Sequence, residues 1–286
     1  MVHLIIPNYN GSKYLRNLLT SAITYHFGKI IISDDCSTDD SKEIIKDFQA
    51  TCPNEIYMVE GQSNLGPAGN RNRVLSMYQH GIINNKDILL FVDVDMEIIE
   101  MNLDSLQKSF EQESIAVITG KVLTKENKQH YWNFGYRLHP VRSTLEAMSL
   151  MIYFLFHQNE TLLRVLHNLF RNIYIFSIES NSIQSPLSID WGIESNFAIR
   201  ADIFKKIDGF DAQMQYHETQ DISKRINDLG FQIFYDPHVV TKHLDMDTFG
   251  NSRRAKDIKN AIYFYKKHYG NLDKFLKYLL NYQKYK

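Results

Sequence analysis

The stretch that decides the fold is DILLFVDVDM, residues 87–96, in which an apolar run ends in two carboxylates one residue apart. Asp93 and Asp95 have the i, i+2 spacing that points both side chains to one side of an extended chain. Unpaired carboxylates are costly to bury, so this arrangement needs a compensating partner. We interpret the pair either as solvated caps at a strand end or as oxygen ligands of Mn²⁺ or Mg²⁺ shared with a phosphate.

Upstream of this stretch, short apolar runs alternate with segments that have helical spacing of apolar residues. The sequence predicts strands at 2–6, 29–33, 55–60 and 87–92, and helices at 12–25, 37–48 and 68–80. This βαβαβαβ order predicts an α/β fold, a doubly wound and mostly parallel sheet flanked by helices. In such sheets ligands bind outside the carboxyl ends of the strands.

Polar residues follow each of the four predicted strands. The residues at these strand ends that are candidates for ligand binding are Pro7, Tyr9, Asn10, Asp35, Asn64, Gly66, Arg71, Asp93, Val94 and Asp95. Helix capping and turn formation explain part of this set, because Asp and Ser cap helices and Gly-Pro forms turns. A carboxylate after the second strand can instead accept an N–H of a nucleobase, and an Arg in a first helical turn can reach a base or diphosphate.

Composition excludes several classes of protein. The chain has 286 residues, 44% of them hydrophobic, and a formal net charge of −1, which predicts no nucleic-acid partner. Its two cysteines favour a reducing compartment. The start, MVHLIIPNYN, predicts a first strand and no signal peptide, and no apolar run reaches the length of a spanning helix.

Two segments raise the question of a membrane surface. Between residues 143 and 178 the chain is strongly apolar, with a helical stripe from Leu162 to Ile173 flanked by Arg164 and Arg171. Residues 251–286 carry ten basic residues against two acidic ones, a net charge of +8, with Tyr and Phe interleaved. Core packing explains the first segment as well as a membrane interface does. We expect a cytoplasmic protein with peripheral contact at the inner face of the cell membrane.

A late segment, HETQDISKRI from His217, predicts a helix that begins with acidic residues. Acids in a first turn are favourable for dipole reasons alone. Glu218 and Asp221 share a helix face, and a carboxylate aimed into a cleft can serve as a general base. Trp191 and Gly192 are candidate acceptor-binding residues together with Glu218, because an aromatic ring suits stacking on a sugar.

The ordered set IIPNYNGSKYL, IISDDCSTDDS, NLGPAGNRNRVL, FVDVD and the acidic helix resembles family 2 glycosyltransferases of the GT-A fold, of the bacterial cell-surface glycan type. The resemblance covers roughly residues 2–268 and implies a nucleotide-sugar donor, a divalent metal and inversion at the anomeric carbon. It implies a GT-A domain at 1–250, divided into a nucleotide-binding half (1–100) and an acceptor half (101–250) with a helical insertion at 143–178. Basic aromatic helices at 251–286 follow.

Carried over residue by residue, the resemblance implies roles for the strand-end residues. Asp35 contacts the base, with backbone near Pro7 and Tyr9, and Arg71 lies near the base or ribose. Asp93 faces the ribose. Asp95 binds the metal, and His243 completes the metal or diphosphate site.

One position departs from the family pattern. Relatives read Glu-Asp-x-Asp and use the Asp of the Glu-Asp pair as the base, whereas this chain reads Glu218-Thr219-Gln220-Asp221. Thr219 cannot accept a proton at neutral pH. We expect Glu218 to act as the base, kept ionised by its position at a helix start. Asp221 is the second candidate, and loss of activity is the third.

The sequence therefore predicts an enzyme, an inverting metal-dependent glycosyltransferase. It moves a sugar from a nucleotide-sugar, expected to be a UDP-sugar, to a hydroxyl of a polysaccharide, lipid-linked or glycoprotein acceptor. A nucleotidyltransferase shares the sheet and the carboxylates but needs a Gly-rich basic loop after the first strand, which PNYNGSKYL lacks. A catalytically inactive subunit that binds sugar nucleotide or scaffolds a glycan-assembly complex is the alternative. A homo-oligomer is compatible with either function.

Overall fold

The computed structural model describes residues 1–52, 55–128, 133–135, 183–215 and 217–245, and residues 260, 263, 264, 266–268 and 270. The predicted helical insertion at 143–178, with its apolar stripe, lies outside the described residues, as does most of the predicted C-terminal region at 251–286. In the described part of the chain no helix combines the length and the apolar character that crossing a membrane requires.

The elements alternate between strand and helix in the N-terminal part. The strands are β1 (Val2–Asn8), β2 (Ile30–Asp34), β3 (Ile56–Glu60), β4 (Ile88–Val92), β5 (Met96–Glu100), β6 (Ile115–Leu123), β7 (Phe134–Gly135), β8 (Leu187–Ile189), β9 (Trp191–Gly192), β10 (Asn196–Arg200) and β11 (Gln232–His243). The helices are α1 (Ser12–Ala22), α2 (Ser41–Thr51), α3 (Gly66–Asn72), a 3-10 helix (Arg73–Tyr78), α4 (Leu103–Ser109), α5 (Ala201–Lys206) and α6 (Glu218–Asp228).

One large sheet organises the described residues. Its strand order is β3-β2-β1-β4-β10-β6-β11-β5, with β8 beside β11, and β7 pairs with β9 in a second, two-stranded sheet. β1 to β4 are mutually parallel, as the alternation of strand and helix predicts. β10 runs antiparallel between β4 and β6, so the chain enters β10 at the edge where β4 ends.

Both faces of the sheet are buried. Along β1, Leu4 and Ile6 pack into one apolar cluster and Ile5 packs into another on the opposite face. α1 covers the first face with Leu15, Leu18, Leu19 and Ala22, which recur at helical spacing. Strands covered on both faces read as continuous apolar runs, which is why HLIIP, KIIIS and DILLFV were recognisable as strands.

Two predicted helix starts are wrong. The second helix begins at Ser41, not Ser37, because Ser37 is used elsewhere: its backbone N–H and hydroxyl both donate to the buried Asp34 carboxylate, at 2.9 and 2.6 Å. The third begins at Gly66, since Pro67 is favourable in a first helical turn, and it tightens to a 3-10 helix from Arg73.

Candidate functional site

The carboxyl ends of β1, β2 and β4 lie at one edge of the sheet, and β10 starts there. The parallel register of β1 and β2 ends at Asn8 opposite Asp34, and the antiparallel register of β10 and β4 puts Asn196 opposite Val92. The residues just after Val92 and just before Asn196 therefore face each other across this edge. The strand-end residues singled out in the sequence come together there.

Asp35 holds the loop that precedes α3. Its carboxylate is 1% exposed and accepts the backbone N–H of Leu65 (2.9 and 3.0 Å) and of Gly66 (2.9 Å). Arg73 Nη2 donates to the same carboxylate at 2.9 Å. Asp35 thus fixes the position of the loop between β3 and α3, and contact with a nucleobase stays a prediction.

The other predicted donor residues of the first and third loops are mostly at the surface. Tyr9 is 52% exposed, and Asn10 accepts the N–H of Thr38 through its side chain at 2.8 Å. Asn64 is exposed and accepts the Gly66 N–H at 3.0 Å. Gly66 has φ of +76°, a left-handed conformation that favours glycine. Pro7 is partly buried and is the second-to-last residue of β1, before Asn8. This surface adjoins the Asp35 loop.

Arg71 is the buried centre of the site. Its side chain is 3% exposed and its Nη2 donates to Asp93 Oδ1 at 2.6 Å. Its Nη1 lies 3.6 Å from Glu218 Oε1, and its guanidinium stacks 5.7 Å from the centroid of the Phe210 ring. Arg71 therefore bridges the DVD segment and the start of α6, and it lies beneath the surface.

Asp95 and His243 are brought together by the pairing of β5 with β11. His243 pairs with Met96, and its Nε2 lies 3.6 Å from Asp95 Oδ2. Burial and the charge of Asp93 raise the pKa of Asp95 to about 6, although His243 opposes this shift. Val94 between the two aspartates packs on Gly11, where an added Cβ would lie 2.7 Å from a Val94 methyl group.

These residues fit a divalent cation that completes its coordination with substrate oxygens. The described residues contain no convergent group of three or more His, Cys, Asp or Glu side chains. They do offer a desolvated carboxylate, Asp95, beside an imidazole. Mg²⁺-type sites commonly use one or two carboxylates together with substrate phosphates, so a two-residue protein contribution suits the predicted metal.

Glu218 begins α6, and its burial opposes the ionised state that we expected there. The residue is 5% exposed, and burial together with the charge of Glu194 raises the pKa of Glu218 to about 8, although Arg71 opposes the shift. The dipole at a helix start contributes less than the loss of water around a buried carboxylate. Burial therefore disfavours the ionised form of Glu218 that a general base requires.

Thr219, which replaces the expected base, has a carboxylate partner that sequence reasoning missed. Its hydroxyl donates to Glu194 Oε2 at 3.0 Å. Glu194 lies just before β10, at the edge where Asp93 leaves β4. The two residues are 25 positions apart in the chain, so no local pattern could reveal this pair.

Asp221 is an anchor for the C-terminal segment. Its side chain is 0% exposed and contacts Arg225 Nε at 2.8 Å, Lys267 Nζ at 2.7 Å and His268 Nε2 at 2.7 Å. Burial alone would raise its pKa, but the hydrogen bond to His268 and the charges of Arg225 and Lys267 lower the pKa of Asp221 to about 2. A buried carboxylate enclosed by Arg225, Lys267 and His268 is not placed to receive an acceptor proton.

Trp191 is also not placed as expected. Its ring is 8% exposed and lies against Gly135 of the paired strand β7, where an added Cβ would come within 2.3 Å of the indole nitrogen. Gly192 is likewise tight, since an added Cβ would lie 2.3 Å from Thr119. Both residues build the small sheet next to the Glu194 loop, and the indole face is not exposed for stacking on a sugar.

The family model described as "Glycosyl transferase family 2" matches residues 3–207. Among curated proteins, the Staphylococcus aureus protein named poly(ribitol-phosphate) beta-N-acetylglucosaminyltransferase TarS is 31% identical over 96 residues, 32% of this chain and 16% of the relative. The Bacillus subtilis minor teichoic acid biosynthesis protein GgaA is 28% identical over 174 residues, 57% of this chain and 38% of the relative. The matched part is thus well under half of either relative.

Among solved structures, GalNAc-T7, crystallised with UDP, GalNAc and Mn²⁺, has a TM-score of 0.62 at 14% sequence identity. The likeness covers 94% of this chain and 49% of that one. At this identity it shows the fold alone. It confirms the predicted fold class, a GT-A glycosyltransferase fold with a mostly parallel sheet and flanking helices.

Proposed function

Because the chain belongs to glycosyl transferase family 2, we propose that it is an inverting, metal-dependent glycosyltransferase that uses a UDP-sugar. The observation that carries the proposal is a cluster of charged residues at the sheet edge. Buried Arg71 bridges Asp93 and the start of α6, and Asp95 lies beside His243. Burying these charges costs free energy because each ion loses its water shell, and clusters of buried charges of this kind occur often at functional sites.

The donor side is formed by the loops after β1, β2, β3 and β4. Asp35 and the loop it holds, with Asn64 and Gly66, form one wall for the base, and the backbone around Pro7, Tyr9 and Asn10 forms the other. Asp93, oriented by Arg71, is placed to accept a ribose hydroxyl, and Val94 spaces it from Asp95. The relative TarS has been crystallised with UDP-GlcNAc, which supports the choice of a uridine nucleotide.

Asp95 and His243 would hold Mn²⁺ or Mg²⁺, which when bound neutralises charge on the leaving diphosphate. Mn²⁺ in the GalNAc-T7 structure supports this assignment. The acceptor hydroxyl attacks the sugar C1 while a carboxylate of the acceptor side takes its proton. Glu218 and the Trp191–Gly192 strand lie on this acceptor side, where Glu218 in its protonated form serves as a hydrogen-bond donor.

The names of the curated relatives support a cell-envelope glycan as the acceptor class. TarS is named for a poly(ribitol-phosphate) acceptor and GgaA for teichoic acid biosynthesis. A hydroxyl-rich polymer or a lipid-linked precursor of one fits this group. We place the glycosyltransferase domain at 1–250 and a C-terminal extension at 251–286, whose described residues dock on α6 through Lys267 and His268.

A catalytically inactive subunit that binds sugar nucleotide is the second candidate, and Thr219 in the usual base position is the observation that favours it. Thermal-shift measurements with a panel of UDP-, GDP- and dTDP-sugars, with and without Mn²⁺, test donor binding, because a ligand that binds only the folded state raises its stability. An Mn²⁺-dependent shift with UDP-sugars is expected in wild type and Asp104→Ala, which removes an exposed carboxylate, and not in Asp95→Ala. Turnover of the bound donor then separates enzyme from inactive subunit.

A further inference from the structure

The carboxylate that accepts a hydrogen bond from Thr219 is a candidate for the general base that the site otherwise lacks. Where relatives are expected to carry an Asp, Thr219 donates its hydroxyl to Glu194 Oε2 at 3.0 Å. Glu194 is partly exposed, whereas its neighbours Thr219 and Glu218 are 4% and 5% exposed. A carboxylate thus stands within one hydrogen bond of the usual base position, supplied by a different element of the fold.

Glu194 is also at the right edge of the sheet. The register of β10 and β4 pairs Asn196 with Val92, and continuing it places Glu194 beside the DVD segment. Gly192, two residues earlier, packs so closely on Thr119 that even a methyl group would collide, which fixes the start of this loop. In the proposed transfer the acceptor hydroxyl loses its proton as its oxygen attacks the sugar C1, close to the DVD segment where the diphosphate is proposed to lie.

The charged groups that face Glu194 come from three elements. Arg71 of α3, Glu218 of α6 and Asp93 after β4 interact electrostatically with one another, and Glu194 interacts with both Arg71 and Glu218. Three carboxylates therefore surround one guanidinium. Glu218 is enclosed, and Asp93, although partly exposed, is bound to Arg71 at 2.6 Å. Glu194 is partly exposed and bonded to the Thr219 hydroxyl at the usual base position.

We propose that Glu194 is the catalytic base and that Thr219 is a positioning residue that orients its carboxylate. This inference rests on the proposed glycosyl transfer. In the step, the acceptor oxygen forms a bond to the sugar C1 and its proton passes to Glu194. The bond between C1 and the diphosphate oxygen breaks, and its electron pair leaves with the nucleoside diphosphate.

The test compares Glu194→Gln with the double variant Glu194→Gln/Thr219→Asp. Glu111→Gln is the control, because it removes an exposed carboxylate that is not among the candidate site residues. The probe is UDP-N-acetylglucosamine with Mn²⁺, followed by release of UDP with water or a supplied glycan as the acceptor. Glu194→Gln should lower kcat by roughly 10²–10⁴-fold, the usual contribution of a general base. Thr219→Asp should restore part of the loss, because it places a carboxylate at the family position.

Two further readouts separate a base from a structural residue. The fall of kcat/KM toward acidic pH, expected when a base is protonated, should disappear in Glu194→Gln and persist in Glu111→Gln. The Mn²⁺-dependent thermal shift with UDP should be the same in both variants, which shows that Glu194→Gln is folded. Thr219→Val, which keeps shape but not the hydroxyl, should lose less kcat than Glu194→Gln.

Wild-type kcat in Glu194→Gln would overturn the assignment of the base and leave the proposed function standing. A loss of kcat with an unchanged pH profile and no recovery by Thr219→Asp would also overturn it. Wild-type protein that binds UDP with Mn²⁺ but turns over none of the donors would refute the proposed enzyme, and the base with it.

Discussion

Replacing Glu218 with Gln should remove a large part of the pH dependence of the protein's stability between about pH 5 and pH 8. Burial and the charge of Glu194 raise the pKa of this carboxyl from 4.5 to about 8 in the folded chain. In this range the folded state keeps a proton that the unfolded state has released. The stabilising contribution is therefore complete below 4.5 and is lost as the pH rises through the folded pKa.

The size of the effect follows from the pKa. One pKa unit corresponds to about 1.4 kcal/mol, so a rise from 4.5 to about 8 sets an upper limit of about 5 kcal/mol on the loss of unfolding free energy. The side chain is 6% exposed, so water screens little of it. Asp95, with its pKa raised to about 6, contributes a smaller decline of the same sign. That decline occurs in both proteins and cancels in their difference.

Urea unfolding of wild type, Glu218→Gln and the exposed control Glu111→Gln at several pH values between about 5 and 8 measures this difference. The free energy of unfolding of Glu218→Gln minus that of wild type should grow steadily with pH. The curve of Glu111→Gln should run parallel to wild type. A difference between Glu218→Gln and wild type that stays constant over this range would refute the conclusion that Glu218 is buried with its proton.

Three other substitutions, one of them paired with a control variant, test particular contacts. Asp221→Asn should lower the unfolding free energy by about 1.5–3 kcal/mol, because it removes the charge from the buried carboxylate that Arg225, Lys267 and His268 contact. Asp228→Asn, at an exposed pair in the same helix, should cost less than about 1 kcal/mol, and equal losses in urea unfolding would contradict the anchor role. Asp35→Ala should weaken uridine binding and lower the melting temperature together, because the carboxylate holds its own loop. Unchanged uridine affinity measured by calorimetry would exclude a role for Asp35 in base recognition. Gly11→Ala should destabilise by about 1–3 kcal/mol because the added methyl group would collide with Asn8 and Val94, and a melting temperature equal to wild type would show that the loop adapts.

The sheet was predictable because its strands are buried on both faces. Runs such as HLIIP and DILLFV carry that information locally, and the sheet rule then places their carboxyl ends at a common edge. Helix starts were less predictable. Ser37 has the side chain of a helix cap, but its hydroxyl donates a hydrogen bond to Asp34. Asp34 is buried, and a local sequence pattern does not reveal this contact.

The acceptor side could not be predicted for the same physical reason. The partner of Thr219 is 25 residues away, and the partner His268 of Asp221 is 47 residues away. Burial, which decides the protonation of Glu218 and the accessibility of Trp191, arises only when distant elements pack. The types of these residues indicated that this part of the chain belongs to the candidate site. Their individual roles depend on contacts between residues that are far apart in the sequence.

The most direct measurement is the calorimetric titration of the wild-type protein with UDP in the presence of Mn²⁺, and again with the metal removed by EDTA. A metal-dependent nucleotide site at Asp95 predicts saturable binding with Mn²⁺, weak or no binding with EDTA, and loss of the Mn²⁺-dependent signal in Asp95→Ala. Absence of UDP binding under all conditions, or equal binding with and without the metal in wild type and Asp95→Ala, would contradict the proposed donor site.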